Sequence, residues 1–234
     1  MAPFPLIIAH RGASRDAPEN TVAAFQLAWQ QGADAIETDL RLTADEEIVA
    51  FHDADGQRIF GNRRLIRSLA KADLPPSIPT LPEILALLPA AKRLVLELKE
   101  PLGPALPRAM AGAPLHRITF IAFDAELIAE TKRAFPDCQA LWLYGDHYVP
   151  SGQRARWLAD RVRELGVDGI DLRYHSGLNA RMLAPLREEG RTIYTYTLNR
   201  RTVVLDASLL GVDGITTDCP GDARDWLHFR RLRA

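Results

Sequence analysis

The sequence predicts an α/β fold, a (β/α)8 TIM barrel with a short hairpin excursion after strand two. Three observations lead there. Eight short β-rich runs alternate with longer stretches of helical periodicity. A short motif recurs where a helical stretch hands over to a strand: GADAI at Gly32, GVDGI at Gly166 and GVDGI at Gly211. Polar residues gather at the C-terminal ends of the strands, where a barrel carries its functional groups. A length of 234 residues suits one such domain, expected over 1–234, with a terminal helix over 222–234.

In chain order the predicted strands are 6–10, 35–40, 93–99, 118–123, 139–144, 168–173, 192–199 and 213–218. Helical patterns fall over 21–32, 125–135, 154–166, 178–190 and 201–211. In the first of these Val22, Phe25, Leu27 and Trp29 are the expected core positions. The leading glycine of each repeat suits the left-handed turn that ends a helix, and the apolar residues after it open a buried parallel strand. The stretch LRLTADEEIVAFHD reads strand, polar turn, strand. With its turn centred on residues 45 and 46, Asp39 pairs across from His52, and the returning arm brings His52 back to the rim.

An open doubly wound sheet is the rival fold, but neither G-x-G-x-x-G after the first strand nor a Walker A sequence is present. Hydrophobic residues make up 47% of the chain and charged ones 25%, enough for a full core. With Lys plus Arg at 29 and Asp plus Glu at 30, nothing indicates a nucleic-acid partner. Two cysteines are too few for a disulfide framework or a thiolate zinc site. MAPFPLIIAHRG reads as neither signal peptide nor membrane span, so a soluble, cytoplasmic protein is expected. The basic tail RDWLHFRRLRA reads as a terminal helix packed on the barrel.

His10 and Arg11 end strand one, Glu37 and Asp39 lie in strand two, and Glu97 and Lys99 close strand three. Asp124, Asn199 and Asp218 follow or end later strands. Glu37 and Asp39 are two apart and share a strand face. Carboxylates that close repel unless a cation joins them. With Glu97 beside them and no Cys or His cluster, a hard divalent ion, Mg²⁺ or Ca²⁺, is one reading. A salt-bridge network with Arg11 and Lys99 is the other.

IIAHRGASRDAPENTVAAF (7–25) resembles the opening motif of the glycerophosphodiester phosphodiesterases, and GADAIETDLRLTADEEIVAFHD (32–53) resembles their second. IPTLPEIL, LVLELK, TYTLN and GVDGITTDCP resemble later motifs, so the likeness runs from residue 7 to about residue 220. It implies a barrel of the phospholipase C-like type. In it His10 and His52 look like the acid–base pair, Glu37, Asp39 and Glu97 like the metal ligands, and Arg11 and Lys99 like the phosphate-binding cations. Glu19, Asn20, Phe123, Asp124, Tyr196 and Asn199 fall at positions that shape the site. There are departures. Tyr196 stands for the usual tryptophan, Ile121 and Ala122 for serines, and Glu46 and Glu47 for the Asp-Gly of a tight turn. The stretch after His52-Asp53 is altered, and the segment from His52 to Pro79 is short, which predicts an open mouth.

The implied reaction is hydrolysis of glycerophosphodiesters to glycerol 3-phosphate and an alcohol. One histidine would take the nucleophile's proton and the other protonate the leaving alcohol. Chain topology favours His10 as the initial base. A lysophospholipase D-like activity is the alternative, with Phe51, Phe60, Trp142, Tyr144, Tyr148 and Tyr174 available for an acyl surface. A non-catalytic ligand-binding barrel is the alternative from another class, disfavoured by the two histidines and three carboxylates.

Overall fold

The structure is a computed structural model that describes residues 4–145, 153–175 and 177–231. Its strands are β1 (Leu6–His10), β2 (Ala35–Leu42), β3 (Ile48–Ala50), β4 (Asp55–Gly56), β5 (Asn62–Leu65), β6 (Arg93–Leu98), β7 (Ile118–Ala122), β8 (Gln139–Tyr144), β9 (Gly169–Arg173), β10 (Thr192–Tyr196) and β11 (Gly214–Thr217). The helices are α1 (Val22–Gln30), α2 (Gln57–Phe60), α3 (Leu81–Ala86), α4 (Ala105–Ala109), α5 (Ala125–Ala134), α6 (Gln153–Leu165), α7 (Ala180–Glu188), α8 (Arg201–Leu210) and α9 (Pro220–Arg231). β1, β2 and β6 to β11 pair in parallel, and β1 bonds to both β2 and β11, closing an eight-stranded barrel. Among the described residues no helix is long and apolar enough to cross a membrane.

Strand alternation divides the core in two. Ile8, Ala35, Val95, Ile121, Leu141, Leu143 and Tyr194 point inward and fill the barrel. Ile7, Ile36, Leu94, Phe120, Ile170 and Ile215 belong to the larger apolar layer between strands and helices. Continuing the inward face of β2 past Ala35 gives Glu37 and Asp39. On β6, Glu97 follows Val95. The carboxylates therefore stand above the apolar plug.

The repeated motif has a structural purpose. Gly32, Gly166 and Gly211 all have left-handed φ. The aspartate two residues later then turns to the neighbouring strand. Asp34 accepts from the Ile7 amide at 2.9 Å, Asp168 from Ala140 at 2.8 Å and Asp213 from Ile193 at 2.8 Å. Each satisfies a strand amide at the barrel's lower end that the parallel ladder leaves without a partner.

Two local expectations are corrected. On α1 the buried residues are Ala24, Phe25 and Ala28, while Val22, Leu27 and Trp29 are half-buried. Phe25 is fully buried between the two alanines, as expected, while Leu27 and Trp29 pack against the edge of the core. In the hairpin, Leu40 pairs with Ala50 and Leu42 with Ile48, which sets Phe51, not His52, opposite Asp39. The Phe51 amide accordingly donates to the Asp39 carbonyl at 2.9 Å. The loop has three residues, Ala44 to Glu46, with Glu46 in the left-handed conformation where a glycine is more usual. An odd loop moves the register by one residue, and His52 lies just past the paired arm. Beyond it, Val49, Phe51, Ile66, Leu69, Leu74 and Ile78 form a small separate core under the excursion. Phe51 and Phe60 pack there edge to face at 5.9 Å, with Phe51 buried and Phe60 half-buried. Tyr148 lies outside the described residues.

Candidate active site

β1, β2 and β6 lie side by side with His10 in register with Glu37, and Asp39 with Glu97. Three neighbouring strands thereby deliver one histidine and three carboxylates to a single edge of the mouth. His10 presents Nδ1 to Asp218 Oδ1 at 2.6 Å. Asp218 is itself fixed: Ser14 Oγ donates to it at 3.1 Å, the Asn199 side-chain amide donates to Oδ2, and Asn199 Oδ1 accepts the Asp218 backbone amide at 2.8 Å. Burial opposes a charge on His10, but the Asp218 hydrogen bond and the Glu37 carboxylate outweigh it, and its pKa is raised.

His52 is held differently. Its Nδ1 meets Asp53 Oδ1 at 2.7 Å, and its carbonyl accepts from Arg41. Arg58 Nε donates to Asp53 at 2.6 Å while its terminal nitrogens donate to Glu19 at 2.7 and 2.8 Å. Glu19 in turn accepts from Arg11 at 3.0 Å. The short excursion, expected to leave the mouth open, thus reaches the first loop through Arg58. Burial lowers the His52 pKa, with Lys99 and Arg11 adding to the fall and Asp39 and Asp53 opposing it. The two histidines are thus shifted in opposite directions.

Glu37, Asp39 and Glu97 are all buried, with one carboxylate oxygen from each lying within 4.8 Å of the others. The cations of the alternative reading are there too. Lys99 Nζ lies 2.9 Å from Asp39 and 2.5 Å from Glu97, and Arg11 Nε lies 3.1 Å from Asp39. The Asn20 side chain donates to Asp39 at 2.8 Å and accepts from Thr38 Oγ1 at 2.7 Å. These cations neutralise Asp39: burial works against its charge, but Lys99 and Arg11 hold its pKa below the usual carboxylate range. They do not neutralise the cluster. Burial and the Asp39 charge push Glu37 and Glu97 upward. Glu37 accepts the Arg11 amide through Oε2, but its buried Oε1 has no hydrogen-bond partner. An oxygen-only set with an unpaired buried carboxylate oxygen fits a hard metal ion.

The other expected positions divide. Asn199 and Glu19 support Asp218 and Arg11, and Asn20 supports Asp39. Phe123 and Tyr196 meet edge to face at 6.3 Å. With Trp142, Tyr144, Arg173 and Tyr174 they line a cleft of about 850 Å³ across the mouth. Asp124 stands apart: its carboxylate caps α5, accepting from the Glu126 and Leu127 amides at 3.0 Å. Three supporting residues were given no role by sequence reasoning. Asp218 had a signal, being the polar end of the last strand, and Asp53 adjoins His52. Arg58 had none, because its partners are 5 and 39 residues away.

Fold and mouth together set two carboxylate-held histidines beside a buried triad of carboxylates at the open end of a barrel. The profile of the Glycerophosphoryl diester phosphodiesterase family matches residues 10–100, which include both histidines and the three carboxylates. A glycerophosphodiester phosphodiesterase of Caldanaerobacter subterraneus is 26% identical over 238 residues, covering 92% of this chain and 94% of that one. An Oleispira antarctica phosphodiesterase, solved with the product sn-glycerol-3-phosphate, superposes with a TM-score of 0.82 at 26% identity, covering 96% and 97% of the two chains. Over a shorter stretch, a lysophospholipase D of Rattus norvegicus is 42% identical across 69 residues, which is 30% of this chain and 22% of that one. The matched profile, the full-length phosphodiesterase relative and the solved structure all support kinship with the glycerophosphodiester phosphodiesterases.

Proposed function

We propose that the protein hydrolyses glycerophosphodiesters to glycerol 3-phosphate and a free alcohol, acting as one barrel domain in the cytoplasm. The observation that carries this reading is the pair of carboxylate-held histidines beside the buried triad. Kinship with phosphodiesterases, one solved with sn-glycerol-3-phosphate, supports the substrate class. The free, buried Cys138 and Cys219 accord with a reducing compartment.

Glu37, Asp39 and Glu97 would hold one divalent cation, Mg²⁺ or Ca²⁺. When bound, such an ion offsets the phosphate charge and favours the oxygens that become more negative in the transition state. Arg11 and Lys99 add fixed positive charge at the same place, releasing part of their hold on Asp39 as an anionic substrate enters. His52, kept neutral, accepts the proton of the attacking hydroxyl, and Asp53 fixes which ring nitrogen is free to do so. His10, whose pKa the Asp218 hydrogen bond raises against the effect of burial, gives its proton to the departing alcohol oxygen. For a glycerophosphodiester the attacking hydroxyl can be the glycerol 2-hydroxyl, already held next to phosphorus. The two histidines then exchange roles as water opens the cyclic phosphate.

The test is a product assay on glycerophosphocholine, glycerophosphoethanolamine and lysophosphatidylcholine with divalent ion present. Glycerol 3-phosphate release from the two soluble diesters is expected. A clear preference for the lysolipid would replace this reading with the lysophospholipase D-like one, and turnover of none would leave a ligand-binding barrel.

A further inference from the structure

Residues 57–72, QRIFGNRRLIRSLAKA, hold Arg58, Arg63, Arg64, Arg67 and Lys71 without one acidic residue, in a chain of formal charge -1. Arg58 is committed to Asp53 and Glu19. Arg63, Arg64 and Arg67 are exposed, and among the described residues none of the three forms a salt bridge. Arg63 donates to Gln57 Oε1 at 3.0 Å and Arg64 to the Ser68 carbonyl at 2.6 Å, neutral partners that orient the guanidinium groups without cancelling their charge. The flanking acids, Asp55 and Asp73, accept from the Gln57 and Ala70 backbone amides at 2.9 and 3.3 Å.

The apolar side chains of this segment sort into two sets. Ile66 and Leu69 are buried in the small core beneath the excursion. Ile59 and Leu65 are left out, 44% and 54% exposed. The segment also adjoins the mouth, since Ile59 and Arg58 line the same cleft of about 400 Å³ as His52 and Glu19. A surface that covered this segment would therefore lie next to His52.

We propose that the excursion docks the barrel mouth onto a bilayer surface that carries anionic phospholipid. Arg63, Arg64 and Arg67 meet the phosphate groups, whose geometry the planar guanidinium matches. Ile59 and Leu65 enter the interfacial layer beside them. Nucleic acid would use the arginines equally but gives no reason for exposing Ile59 and Leu65, so the membrane is the better fit. The charge and exposure of the segment carry this inference. Only the match between a lipid-derived substrate and a lipid surface rests on the function proposed above.

The experiment is co-sedimentation of the full chain with vesicles of phosphatidylcholine alone and of equal parts phosphatidylcholine and phosphatidylglycerol. Binding to the anionic vesicles only, released by high salt, is expected. The combined Arg63→Gln, Arg64→Gln, Arg67→Gln variant should partition about 10²-fold more weakly and still hydrolyse glycerophosphocholine at the wild-type rate. An Ile59→Ser, Leu65→Ser variant with an unchanged melting curve should also bind less. Equal binding to both vesicle types, undiminished binding by the arginine variant, or a stronger affinity for single-stranded RNA than for vesicles would each overturn the proposal. Wild-type protein that binds anionic vesicles yet cleaves no diester would leave docking standing and sink the proposed function instead.

Discussion

His10 and His52 reach one mouth from unlike supports. His10 ends a barrel strand, and its partner Asp218 follows the adjacent strand β11, braced by Ser14 and Asn199. His52 follows a hairpin arm, and its partner Asp53 is braced by Arg58, an exposed residue of the excursion. The first support is part of the closed sheet, whereas the second is a chain of surface ion pairs. Rigid barrel geometry fixes one histidine, and a smaller, separately packed element fixes the other. Charge follows the same division: the histidine on the barrel is raised in pKa and the one on the excursion is lowered.

The largest expected effect strikes what both halves share. Stripping divalent ions should reduce diester hydrolysis to background, with recovery on adding Mg²⁺ or Ca²⁺. Calorimetry should show the ion binding more tightly as pH rises, because the raised pKa values of Glu37 and Glu97 make protons compete for the same oxygens. Full activity in metal-free protein would show that Arg11 and Lys99 suffice.

Next come the histidines. His10→Ala and His52→Ala should each lower kcat by about 10²–10⁴-fold while the barrel stays folded. A diester with a nitrophenol leaving group separates their roles, since it needs little protonation. His10→Ala should lose much less on that substrate than His52→Ala. The opposite result would restore His10 as the base.

The supports should then differ in weight. Asp218→Asn is expected to cost about 10–100-fold, by analogy with carboxylates that orient ligand histidines. It should also lower the His10 pKa seen by NMR. Arg58→Gln acts through exposed ion pairs, so about two- to fivefold is expected, with Arg58→Lys recovering part of it. Equal losses from the two would erase the distinction between sheet and excursion.

The smallest effect is a titration without turnover. In metal-free protein the His10 ring should titrate above the ordinary histidine value and the His52 ring below it. Between those two midpoints, His10 is charged and His52 neutral. Coincident midpoints would remove the electrostatic basis for their separate roles.

Much of the site was legible because strand periodicity is rigid. Once Ala35 faces inward, Glu37 and Asp39 must do so too, and the parallel ladder brings Glu97 alongside. What failed depended on a single residue or a distant contact. The hairpin register turned on whether the loop held an even or an odd number of residues. Asp124 had the same motif credentials as its neighbours, but a helix began directly after it and claimed its carboxylate as a cap.

The amino-acid order by itself determined the alternation of strands and helices, the left-handed glycine turns of the repeat, and the inward row of carboxylates. These follow from local sterics and a two-residue period, which need no knowledge of the rest of the chain. Only the tertiary structure decided that Asp218 holds His10 across 208 positions and that Arg58 joins the excursion to Glu19 across 39. It also decided that the cations hold the Asp39 pKa down while those of Glu37 and Glu97 stay raised. Closing the barrel places the first strand against the last, and that neighbourhood has no trace in local spacing.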